Sequence, residues 1–332
     1  MEPDHEYLLT QNFSLTVAYL GQDGTHLVNA REYNQPLPGT GLVSSWLPLQ
    51  QRTPLYAVAP LITNVSGTDS SSVMRYNSLQ ATANKRLSYG LQFVGSYTFS
   101  KTLSDSLGYY GSSGVAAQSA YWQNAYNRHG DFGPAFFDSR HIGTFGPSWE
   151  IPVGRDRKFG SHMNRAEDLI GGGWKVDSVV TMHSGFPVTI LSVDQTNQSV
   201  RSGSTRPNFY QPMTIQNQSI DHWFGTANTY CLTPGVNTGS CAYGVAAPGV
   251  FGTAGVGTQR APGFVNVDLS LGKKFYTHEK QYLDFRADFF NVANHVNFGP
   301  PGATVSSTAS FGVITTQIGS ARVIQMVLKY YF

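Results

Sequence analysis

Charge is scarce in this sequence. Lys, Arg, Asp and Glu make up 13% of its 332 residues, about half the roughly 25% usual for soluble domains. The 22 basic and 20 acidic residues leave a net charge of +2. A nucleic-acid binder needs a basic stripe, so no nucleic-acid partner is expected. Long hydrophobic runs are missing as well. Patches such as Val179-Val180 and Val323-Ile324 break within a few residues, far short of the ~18 apolar residues of a transmembrane helix. The opening Met1-Glu2-Pro3-Asp4-His5-Glu6 has neither the basic nor the apolar stretch of a secretory signal. A mature secreted chain and a piece of a longer one both read this way. Cysteine is limited to Cys231 and Cys241, in a Gly/Thr/Asn-rich stretch. In an oxidising compartment such a pair is expected to form a disulfide; two free thiols are the alternative. No Cys-x-x-Cys occurs, and the nine histidines show no His-Glu-x-x-His or His-x-His spacing, so neither a metal nor a cofactor is expected.

Aromatics and glycine are plentiful: 20 Phe, 18 Tyr, 5 Trp and 35 Gly. At roughly 150 residues per domain the length suggests two domains, although β-barrels run longer as one. The dominant pattern is period-two alternation, the signature of strands. Eight segments carry it: 12–20, 75–87, 91–100, 139–151, 174–191, 264–275, 281–292 and 322–332. Leu283, Phe285, Ala287 and Phe289, for example, alternate with Asp284, Arg286 and Asp288. Strands of this length suit a bilayer, which needs about 9–11 residues, better than a soluble sheet, where about 5–6 is typical.

The connections alternate in length. Ser88-Tyr89-Gly90 and Tyr276–Lys280 are short and Pro152–Gly173 is of medium length, whereas Gly21–Met74, Lys101–Asp138, Ser192–Gly263 and Ala293–Ala321 are long. Short periplasmic turns and long extracellular loops are the outer-membrane arrangement. Parity makes Leu87 and Leu91 opposite one another, so the first turn is expected to be a three-residue loop with Gly90 left-handed. The expected fold is all-β: part of an antiparallel transmembrane β-barrel of about eight long strands. Asp284, Arg286 and Asp288 lie at i, i+2, i+4 on one strand face. They could suggest paired carboxylates for acid–base work, but mutually neutralising lumen charges explain them better, and no enzyme is expected. Gly252–Gly257 is Gly-rich in the wrong order for a dinucleotide fingerprint. Alternation runs through Ile324, Met326, Leu328, Tyr330 and Phe332 to the carboxylate.

Several short segments, in this order, resemble the C-terminal part of TonB-dependent outer-membrane receptors of the Oar-like kind, which begin with a carboxypeptidase-regulatory-like domain. They are 18–27 (AYLGQDGTHL), 76–80 (YNSLQ), 95–101 (GSYTFSK), 138–141 (DSRH) and 151–155 (IPVGR). Further on come 183–187 (HSGFP), 263–270 (GFVNVDLS), 289–295 (FFNVANH) and the terminal strand. The resemblance implies the outer membrane of a Gram-negative bacterium and a nutrient bound by loops and plug. It implies partnership with outer-membrane lipid, with a barrel-assembly machinery that reads the Ile324–Phe332 strand as its signal, and with the TonB energy-coupling complex. Intact receptors carry a plug, a coupling box and about twenty-two strands. Residues 1–332 therefore read as the C-terminal barrel portion alone, contributing wall and ligand-binding loops. A self-contained small barrel acting as adhesin or anchor is the alternative, since eight strands can close.

Overall fold

The computed structural model describes residues 4–39, 41–106, 121–155, 157–196, 205–276 and 281–332. Nine strands form one antiparallel meander: β1 (Asp4–Thr10), β2 (Phe13–Glu32), β3 (Ser66–Ser88), β4 (Leu91–Ser104), β5 (His141–Glu150), β6 (Trp174–His183), β7 (Phe264–Tyr276), β8 (Tyr282–Phe290) and β9 (Val323–Tyr331). Each pairs with its neighbour in sequence, and a two-residue segment, Gly133–Pro134, adds to β4. Among the described residues β1 and β9 do not pair, so the sheet is open. An eight-stranded ring closed on itself is not what the chain forms.

The register explains the alternation. Tyr19 lies opposite Leu79, Leu79 opposite Phe99, and Val17 opposite Ala81. Phe145 faces both Gly95 and Val180. Val267 pairs with Val180, Leu269 with Phe289, and Phe289 with Ile324. One face is thus a continuous apolar band across nine strands. Its charges stand near the strand ends: the Asp23–Arg75 pair at 3.2 Å, Lys85 bonded to Ser88 Oγ, and Lys273 on the Asp168 and Gly172 carbonyls. Lysine stems can lie along apolar surface and send the charge to a wet edge. The opposite face carries Thr82, Ser96, Thr144, Thr181, Asp268 and Asp284. A one-residue slip at any ladder would put polar side chains into the band, so the pattern fixes the register.

Four expectations need correction. The first edge is β1, not the segment 12–20. Asp4–Thr10 does not alternate in sequence, yet it folds back on β2 with Tyr7 opposite Leu15. Gly21–Met74 is not all loop, because β2 and β3 continue to Glu32 and from Ser66, paired with register shifts near His26, whose φ is +58°; the connection itself is 33–65. The segment 174–191 breaks after His183. A Cβ on Gly185 would meet the Ala261 carbonyl oxygen at 1.7 Å, and Pro187-Val188 leaves to pair with Gln259-Arg260. Turn 88–90 is a two-residue hairpin with Ser88 opposite Leu91. Tyr89 and Gly90 both have positive φ, +53° and +79°, as a type I′ turn requires, and a register shift after Lys85 restores the expected parity below. Pro152–Gly173 contains a helix, α1 (Arg165–Gly171), started by Asn164, which accepts from the Ala166 and Glu167 amides in a capping box. The Tyr276–Lys280 turn lies outside the described residues beyond Tyr276.

Candidate ligand-binding loop cap

The long connections fold into a cap at one end of the sheet. Val188, Ile190, Phe224, Ala242, Tyr243, Ala254 and Val305 form its core, with Trp223, Tyr230 and Phe311 packed on it. Burial pushes the Tyr230 phenol up to about 12. Ser72, Ser78, Ser100, Thr102 and Ser104, on the polar face at the loop end, are buried. The cap therefore covers the polar side of the sheet, the concave side in a barrel.

Three of the quoted sequence segments, 138–141, 183–187 and 289–295, serve the junction between wall and cap. In 138–141, Asp138 accepts the Thr102 amide at 2.6 Å and pairs with Arg260 Nη2 at 2.5 Å. Arg260 Nη1 donates to the carbonyls of Asp138 (2.8 Å) and Gly185 (3.2 Å). Ser184 of 183–187 accepts the His141 amide through Oγ at 3.1 Å. In 289–295, Asn291 and Asn294 take left-handed φ of +51° and +49°. Asn291 donates to the His295 and Ser320 carbonyls, each at 3.0 Å, and its amide donates to Asp268. Tyr19 of 18–27 donates to Asn77 of 76–80 at 2.6 Å. In 151–155 the Arg155 amide donates to Asp168 of α1 at 2.8 Å.

Deeper in the cap, Arg206 pairs with Asp131, both side chains under 5% exposed. Arg206 also donates to the Ala254 and Gly130 carbonyls at 2.7 and 2.8 Å. Burial pushes the Asp131 carboxyl above the usual range, against the pull of Arg206. Two amides tie three connections together. Gln35 donates to the Gln123 carbonyl at 3.1 Å and accepts the Ala125 amide at 2.7 Å. Gln123 donates to the Gly252 carbonyl and accepts the Arg206 amide. Arg52 donates to the Leu37, Leu47 and Thr196 carbonyls, and desolvation lowers its pKa. No spacing marks Gln35, Gln123, Asp131 or Arg206 in sequence, since lone polar residues in loops carry no period.

The singled-out residues fall in different places. Cys231 and Cys241 are bonded, beside the cap core. Asp284 lies between Lys274 and Lys329 in the ladder, and Arg286 binds Asp288 at 2.7 Å. Asp284 and Arg286 line a cleft of about 890 Å³ at the turn end, away from the cap. Ile324, Met326, Leu328 and Tyr330 form the last row of the band, opposite Phe289, Ala287, Phe285 and Leu283. Phe332 follows the last ladder pair and stacks on Tyr330 at 6.1 Å. A second cleft, of about 340 Å³, opens where wall meets cap, between Phe264 and Phe290, with Asn266, Asp268, Asn297 and Ser320 along it. Aromatic faces beside amides and a carboxylate can hold an apolar body with hydroxyl or amide groups.

A long-stranded antiparallel sheet with one apolar band, one polar face and loops folded at one end defines a wall of an outer-membrane β-barrel. The chain belongs to the outer membrane beta barrel domain family, whose model matches residues 3–325, and its place is the outer membrane of a Gram-negative bacterium. No curated protein matches it. Among solved structures it is similar to the outer membrane transporter YddB from Escherichia coli, at 8% identity and a TM-score of 0.46 over 98% of this chain and 31% of that one. It is also similar to BauA, the ferric preacinetobactin receptor from Acinetobacter baumannii, at 11% identity and 0.42 over 97% and 27%. The ferric-catecholate import receptor Fiu from E. coli K12 aligns at 10% identity and 0.42 over 100% and 27%. The chain thus spans between about a quarter and a third of the length of these proteins.

Proposed function

We propose that this chain is the C-terminal wall and loop cap of a TonB-dependent receptor of the Oar-like kind, and that it contributes to nutrient uptake by binding at the cap. The observation that carries the reading is the open sheet. A lipid-facing band ends on both sides in a strand, β1 and β9, whose outer edge has no partner among the described residues, and each unsatisfied backbone group in lipid costs several kcal/mol. Such a wall calls for further strands, as a wide barrel supplies. A cap with its own core, set over the polar side, suits a receptor that holds its ligand before admitting it. On this reading the partners are outer-membrane lipid, the assembly machinery, the energy-coupling complex and a small or oligomeric solute, and the role is binding without bond making.

An antibody to residues 205–263 tests the reading on outer membranes of the source bacterium. A band far above 36.2 kDa that crosslinks to the energy-coupling protein is expected. A band at that mass, inserted and without the crosslink, overturns it.

A further inference from the structure

The cleft at the turn end is at the opposite pole from the cap, so it is not the site proposed above. Its floor is the turn end of β6, β7 and β8, where Lys175, Asp177, Lys274, Asp284 and Arg286 of the polar face meet Trp174, Lys273 and Phe275 of the band side, and its wall is the connection between β5 and β6. Seven basic and four acidic described side chains line it, an excess of three positive charges. The whole chain carries only +2, so the rest of the molecule balances to −1 and the surplus is concentrated here. Arg157 and Lys175 are matched by Glu150 at 3.6 Å and Asp177 at 2.9 Å. Lys273 is spent on the carbonyls at the end of α1, Arg286 is held by Asp288 at 2.7 Å, and Lys274 lies 4.9 Å from the Tyr282 ring. The Arg155 and Arg165 side chains have no acceptor among the described residues, and both are exposed. Guanidinium forks favour carboxylates over water when offered them in pairs.

We propose that this cleft docks an acidic polypeptide segment on the periplasmic side. Two observations choose that occupant. The volume is several times that of a single phosphate and falls in the range of about 300–1,000 Å³ that holds larger ligands. Four carboxylates stand among the basic groups, which would repel a compact multiply charged anion; a peptide carrying both signs with acidic excess fits the mixture. The assignment rests on the turn end of the sheet facing the periplasm, which follows from the barrel family and not from any transport activity.

The test uses the 332-residue chain in detergent micelles and a fluorescein-labelled peptide of alternating Glu and Gly, read by anisotropy. The charge-free Gln/Gly peptide, inorganic phosphate and phosphatidylglycerol vesicles are the comparison probes. Saturable binding of the Glu peptide is expected, lost with the Gln peptide and weakened by salt. Arg155→Gln with Arg165→Gln should raise Kd about tenfold, the effect of two exposed charge pairs. Lys101→Gln, at the cap end, should leave it unchanged. Because neither arginine side chain has a partner to lose, loss of fold is not expected, and an unchanged proteolysis pattern checks this. Equal Kd for wild type and the double variant overturns the proposal. So does tighter binding of phosphate or of the vesicles than of the Glu peptide.

Discussion

Replacing Arg206 by Met should open the cap without disturbing the wall. The substitution keeps bulk but removes the cation from Asp131, whose side chain is almost wholly buried. It also takes the donors from the Ala254 and Gly130 carbonyls. Breaking a buried pair by deleting one partner costs about 3–5 kcal/mol, because the remaining charge is left uncompensated. At 1.4 kcal/mol per decade, even the lower figure raises the open population about a hundredfold. Cleavage of an opened segment follows that population when reclosing outruns the protease. Rates in residues 121–140 and 205–263 of detergent-refolded protein, read by mass spectrometry, therefore measure the loss. Adding Asp131→Asn should recover most of it, since the amide still accepts from the Gln123 backbone and carries no charge. Wild-type cleavage rates in Arg206→Met, or a double variant as labile as the single one, would refute the argument.

Reducing the Cys231–Cys241 bond, or changing both to Ser, should cost the cap about 2–3 kcal/mol for so short a loop, seen as faster cleavage between residues 229 and 244. Asp131 gives the cap a pH dependence. Its native carboxyl sits above the ordinary range, so the folded cap holds that proton more tightly than the unfolded chain. Protease resistance should therefore be greatest below the ordinary carboxylate range and fall as pH rises through the raised value, and Asp131→Asn should flatten the profile. Phe332 is 95% exposed, so deleting it should leave the refolded protein's stability nearly unchanged. If the terminal row is an assembly signal, surface levels of a loop epitope should drop in that variant and in one with the Phe moved inward by one residue. Equal surface levels would remove the signal.

The wall was legible where one face meets lipid and the other water, because only there does the sequence alternate. Where β2 and β3 rise past the band, as at Gln22-Asp23-Gly24-Thr25-His26, both faces are wet and nothing in the pattern marks a strand. The ladder persists there through backbone bonds and pairs such as Arg31–Asp69 at 3.2 Å. β1 was hidden by the contiguous Tyr7-Leu8-Leu9. Cap residues were illegible for a different reason. Val188, Ile190 and Tyr243 are spread along the connection after β6 and Val305 lies in the connection after β8, so no local period records their contact. Asp138 and Arg260 are 122 residues apart and are joined only by the junction they make.

Two solvents divide the work of holding this chain together. Of the buried apolar side chains among the described residues, only Ala30 and Ala287 lie in the nine strands; the rest belong to the connections. The band of Leu79, Phe99, Val265, Met326 and Leu328 is exposed in the isolated chain, and burial in lipid is what removes it from water. The wall is then held by its ladder, since backbone groups in hydrocarbon have no other partner. The cap stands in water and needs a hydrophobic core of its own. Substitutions in Ile190 or Tyr243 should consequently change protease sensitivity and leave insertion intact, while charges placed in the band should do the reverse. The two sets of residues occupy different media, so their effects should add when combined.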